Sequence, residues 1–183
     1  MSRGLTIAAA LVVLFTCMLW GAGPASAKKR GCTKASAVPT ADTLHQSYGA
    51  VLCLINRERA RRGLPALRNS GQLARAAINH SSDMVARQYF AHESLEGETA
   101  RQRVLRTGYF AGGAGGAVEE AIACGWMRHS TPKSLVAMLM RSAVHQSILL
   151  NRRLRDVGVG LVLGGPQDVG TSGATLTLKL ARR

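Results

Sequence analysis

The chain has 183 residues, enough for one domain with a real core. Twenty-four lysines and arginines face ten acidic residues, a formal charge of +14 carried largely by arginine. That balance suits polyanions such as cell-wall polymers, acidic lipid surfaces or nucleic acid, although an Ala/Arg/Gly-rich composition also follows from a GC-rich genome. No basic stripe is interleaved with aromatic residues, which argues against a dedicated nucleic-acid binder.

Arg3 precedes an apolar run from Leu5 to Trp20 and then "GAGPASA", with Ala25 and Ala27 where a signal peptidase reads small residues. The run is too short, and too closely followed by a cleavage signal, to favour a membrane-spanning helix. A lipoprotein reading of "LFTC", Leu14 to Cys17, is disfavoured by Thr16 just before the cysteine. Residues 1–27 therefore read as a signal peptide, 28–39 as a polar arm and 40–183 as the domain. The mature chain is an exported protein of about 156 residues with a charge of +13.

A first helix is expected from about Thr40 to Arg62, with Leu44, Tyr48, Val51, Leu52 and Ile55 in one apolar stripe and Gly63 as its stop. A second begins after Asn69 or Ser70 and aligns Leu73, Ala76, Ala77, His80 and Met84. A third, short one spans about Thr99 to Thr107. The loop "AGGAGGA" lacks the Gly-Lys-Ser/Thr ending of a phosphate loop. An extended segment from Val118 to Cys124 follows. Ser130 or Thr131 then caps a helix with Pro132 in its first turn, running to about Gln146. Val157, Val159 and Leu161 alternate with glycines, and Leu176, Leu178 and Leu180 alternate with Thr175, Thr177 and Lys179, which predicts a C-terminal hairpin. Helices first and an antiparallel sheet last argue an α+β fold.

Export leaves three cysteines. Cys32 and Cys53 invite a disulfide between the arm and the first helix, and Cys124 is then either a buried free thiol or a second candidate partner. Among the histidines, His80 sits at the centre of its helix's apolar stripe and reads as a core residue, while His45 and His129 read as surface or loop residues. His92 projects from the turn "YFAHESLEG" beside the aromatic pair Tyr89 and Phe90, and His145 lies on the border of an apolar helix face. Glu119 and Glu120 lie in the apolar stretch "VEEAIAC", so one of them needs a cation or a donor in its burial. No short metal motif is formed, since "HESLE" is not H-E-x-x-H.

"LCLINRERARRGLPALR" and "LARAAINHSSDMVARQYFAHES" resemble the opening of the bacterial CAP domain, the fold of cysteine-rich secretory proteins, antigen 5 and pathogenesis-related 1 proteins. "SAVHQSILL" resembles the family's S-P-x-H-R-x-N-I-L segment, "LRDVGVGLV" the strand after it, and "VEEAIACG" stands where the family has V-G-E-N-I-A-x-G. The resemblance runs from about Val51 to Arg183. It implies an α-β-α sandwich with a central antiparallel sheet flanked by helices, and a cleft where two histidines and a glutamate often surround a divalent metal. Carried over by position these are His92, Glu120 and His145, with a zinc-like ion as the implied cofactor. Glu119 and Ala121 replace the glycine and asparagine of the G-E-N motif, and Gln146 and Ile148 replace the arginine and asparagine of the histidine segment. Amides that could orient the site are thus missing.

The function this implies is a secreted, monomeric binding module, with a metal or small ligand in the cleft and a basic surface toward anionic envelope polymers or lipid. The competing readings are a metal-dependent hydrolase of an envelope peptide or ester, with Glu119 or Glu93 as its base, and a cationic membrane- or nucleic-acid-binding factor.

Overall fold

A computed structural model describes Met1 and residues 31–112, 115–166 and 172–183; the signal peptide expected over residues 1–27 lies outside the described residues, Met1 apart. The elements are α1 (Leu44–Ala60), β1 (Arg68–Asn69), α2 (Gly71–Ala86), α3 (Ala100–Arg106), β2 (Val118–Trp126), α4 (Pro132–Arg141), α5 (Ala143–Leu149), β3 (Asp156–Leu163) and β4 (Gly173–Ala181). Local chemistry sets their ends. Ser70 accepts from the Leu73 amide to open α2, Thr99 and Gln102 form a capping box on α3, and Thr131 caps α4 with Pro132 in its first turn.

The four strands lie in the order β1-β3-β4-β2. The predicted hairpin is present: β3 pairs antiparallel with β4, in register Val159 to Leu178. β2 closes the other side of β4, also antiparallel, with Glu120 opposite Lys179. One strand was not expected from the sequence. Arg68–Asn69 adds to β3 in parallel, so the sheet is mixed at that edge rather than wholly antiparallel.

Both faces of the sheet are covered. Leu176, Leu178 and Leu180 of β4 and Val157, Val159 and Leu161 of β3 join Val51 and Ile55 of α1 and Leu135 and Leu139 of α4 in one buried cluster. On the opposite face α2 lies directly on β3. A Cβ built on Gly158 would stand 2.0 Å from the Leu73 carbonyl carbon, and one on Gly160 2.2 Å from that of Ala77. Glycine at these two positions lets helix and strand backbones touch. The result is the expected α-β-α sandwich, and every residue of β4 is buried.

The helix expected to run through to Gln146 instead breaks at Ser142. That residue takes an extended conformation (φ −82°, ψ 120°), ends α4, and accepts from the His145 amide at 3.4 Å to start α5. A serine at this point supplies the cap that the helical periodicity alone concealed. Cys32 and Cys53 are joined in a disulfide, as expected, and Cys124 is a half-buried free thiol. The Lys133 amide donates to the Ala35 carbonyl at 2.8 Å, which ties the arm to α4 as well. Among the described residues no helix is long and apolar enough to cross a membrane.

Candidate functional site

Strand alternation on β2 sends Ala121 and Ala123 into the α1–α4 side of the core and turns Glu120 to the α2–α3 side. Its side chain is 3% exposed. The requirement for a cation or donor is met several times over. The Lys179 ammonium, directly opposite in the register, hydrogen-bonds Oε2; Arg103 Nη2 from α3 donates to the same oxygen at 3.2 Å; and His92 Nδ1 contacts Oε1 at 2.7 Å. His80 Nε2 lies 3.8 Å from Oε1.

Burial pushes the Glu120 carboxyl up, but the His92 hydrogen bond and the Lys179 charge outweigh it and hold the pKa at about 2. Burial works the other way on Lys179, drawing it down to about 8 against the pull of Glu120. At neutral pH the pair is therefore charged, with Lys179 fully enclosed and Arg103 nearly so. Arg103 also donates to the carbonyls of Glu98 and His92, so one guanidinium fastens the 92–98 turn to the sheet.

His80 is buried, as expected of a core histidine, and burial lowers its pKa to about 4. Its Nε2 lies 3.0 Å from the Ala91 carbonyl, an acceptor, so Nε2 carries the ring proton. The ring thereby holds the residue just before His92. His45 and His129 are exposed, as read from the sequence.

The sequence-derived set is brought together unevenly. His92 touches Glu120, and its side chain is 54% exposed. With Nδ1 donating to the carboxylate, its Nε2 is left as a lone-pair donor at the surface. His145 sits half-buried near the start of α5, where burial and then the charge of His92 lower its pKa. Among the described residues no group of three or more His, Cys, Asp or Glu side chains is arranged to hold a metal ion. The donor chemistry explains why. Both oxygens of Glu120 are engaged, and a dication on them would lie against two buried cations. Of the sequence-derived set, His92 Nε2 and the His145 ring are left outside the ion-pair cluster, with Glu120 behind His92 as the carboxylate that sets its tautomer. Glu93 is exposed, Glu119 faces away from Glu120 by alternation, and neither hydrogen-bonds to the cluster.

Lys179 and Arg103 were not singled out from the sequence. Lys179 shares a face of its strand with Thr175 and Thr177 and reads as the outward side of a hairpin. The signal that corrects this is in the neighbouring strand: glycines at 158 and 160 imply that a second layer presses on that same face.

Residues 52–176 match the CAP model, described as the cysteine-rich secretory protein family. Over 142 residues the chain is 30% identical to an uncharacterized protein, YkwD, of Bacillus subtilis (strain 168), covering 78% of this chain and 51% of that protein. It thus spans about half the length of the curated relative it matches. Among solved structures it is similar to an extracellular protein containing an SCP domain from Bacillus anthracis str. Ames, with 28% identity and a TM-score of 0.62 over 79% of this chain and 44% of that one. It is also similar to an outer surface protein of Borrelia burgdorferi, with 17% identity and a TM-score of 0.63 over 78% and 96% of the two chains, a likeness of fold alone.

Proposed function

Because the chain belongs to the CAP, or cysteine-rich secretory protein, family, we propose that it is an exported binding module rather than an enzyme. Its cleft takes a divalent metal or a small ligand at His92 and His145, and its arginine-rich surface holds it to anionic polymers or lipid of the cell envelope. Export is supported by the signal-peptide pattern and by similarity to a protein described as extracellular.

The observation that carries this reading is the state of Glu120. A hydrolase built on two imidazoles and a metal needs a carboxylate free to take a proton from water. Here the buried carboxylate beside His92 is committed to Lys179 and Arg103, and its low pKa makes it a weak base. A bound zinc-like ion would supply a Lewis-acidic point of attachment for an oxygen or nitrogen ligand. The chain's own residues present that point: His92 is oriented by Glu120, and its turn is held by His80 and Arg103. Protons compete with a metal for imidazole nitrogens, so acid weakens metal binding.

The test is the metal content and affinity of the mature protein beside His92→Ala and His145→Ala. Weak binding lost in both variants supports the reading. Peptide or ester hydrolysis that tracks metal loading would favour the hydrolase. Salt-sensitive retention on envelope fragments, with no metal bound and indifferent to both histidines, would leave charge alone as the function.

A further inference from the structure

A groove of about 690 Å³ runs between α1, the disulfide-pinned arm and α4. Its rim carries Arg57, Arg61 and Arg62 from α1 and Lys133 and Arg141 from α4, against the single carboxylate of Glu58. Glu58 is already shared: Arg62 holds it at 2.8 Å and Arg61 bonds its other oxygen. Among the described residues no carboxylate pairs with Arg57, Lys133 or Arg141.

The walls are fixed before any ligand arrives. The Cys32–Cys53 bond anchors the arm to α1, the Lys133 amide bonds the Ala35 carbonyl, and Val51, Ile55, Leu135 and Leu139 pack α1 and α4 into one core. We propose that this groove is the docking site for a linear, phosphate-bearing anionic polymer of the cell envelope, lying between the two cationic helices. The proposal rests on the envelope-binding reading and gives it a location.

Spacing selects a chain over a single anion. Lys133 and Arg141 are eight residues apart on one helix, about 12 Å along its axis, so a single phosphate or carboxylate does not span the cationic rim. Repeating charges do. Arginine prevails on the α1 wall, and its planar fork meets phosphate oxygens in pairs. No aromatic side chain lines the groove on which a nucleobase could stack, which sets nucleic acid aside.

The experiment measures binding of inorganic polyphosphate to the mature protein across a range of salt concentrations, with orthophosphate, poly-glutamate and single-stranded DNA as comparison probes. Lys133→Gln/Arg141→Gln is compared with Arg152→Gln/Arg153→Gln, which removes the same charge from an exposed loop outside the groove. Melting curves confirm that both variants are folded. The groove variant should lose affinity for polyphosphate by about tenfold or more and shed about two from the salt slope, while the loop variant changes by less than about threefold. Orthophosphate should bind far more weakly than the chain. Equal losses in the two variants, equal affinity for orthophosphate, or a preference for poly-glutamate or DNA overturns the groove proposal but leaves envelope binding standing. If the wild type binds neither polyphosphate nor envelope fragments at physiological salt, the envelope reading itself fails.

Discussion

Replacing Lys179 by methionine leaves the bulk of the side chain and removes only its charge. Breaking a buried ion pair from one side typically costs about 3–5 kcal/mol, because the other charge stays behind unpaired. Here Glu120 would keep Arg103 on Oε2 and His92 on Oε1, which places the expected loss at the lower end, about 3 kcal/mol. For a mature domain of this size that is a fall of about 6–12 °C in Tm. The assay is urea and thermal unfolding of Lys179→Met, Glu120→Gln and the double variant. In that cycle the two single losses should not add, with a coupling of about 2 kcal/mol. A Lys179→Met protein that melts within about 2 °C of the wild type, or a coupling below about 0.5 kcal/mol, refutes the enclosed pair.

Acid should weaken the domain in two stages. The His80 imidazole is held to about 4 in the fold against about 6.5 unfolded, so its contribution is full above 6.5 and is lost as pH falls toward 4. Glu120, held at about 2, adds a second loss as pH falls from about 4.3 toward 2. Urea midpoints measured against pH should show both stages, and His80→Asn should flatten only the upper one. Gly160→Ala should cost about 3 kcal/mol or more, or prevent folding, because the new Cβ meets backbone atoms of Ala77 and Ile78. Gly49→Ala, with nothing within 4 Å of its new Cβ in the interior of α1, should stabilise by up to about 1 kcal/mol, and paired melts compare the two. Removing the Cys32–Cys53 bond as a double serine variant should cost about 3 kcal/mol, read from the shift in the denaturant midpoint.

Local chemistry was legible in the sequence wherever a residue's role is settled by its near neighbours. Ser70, Thr99 and Pro132 mark helix starts, the two alternating runs mark the hairpin, and "VEEAIAC" states that a carboxylate is buried and needs a partner. The partners themselves were hidden because they come from afar. Lys179 reaches Glu120 across a ladder that pairs residues 59 apart, and Arg103 arrives from a helix whose pattern gives no sign of burial. Alternation on β4 says only that its two faces differ; it does not say that both are covered. The break at Ser142 escaped for the opposite reason, since the apolar stripe continues across a cap that only the backbone angles reveal. The two-residue β1 is too short to leave any periodic signal.

If Glu120 serves the site from behind His92, the donors left for a metal are the exposed His92 and the half-buried His145. Calorimetric titration of zinc or cobalt into the wild type, the His92→Ala and His145→Ala variants, and the Glu120→Gln/Lys179→Met double variant tests it most directly, because the double variant removes the enclosed pair as a unit. Binding to the wild type should be weak, abolished by either histidine substitution and reduced about 10- to 100-fold when Glu120 no longer orients His92. Tight binding abolished by the Glu120 variant, or binding that survives loss of both histidines, would contradict it.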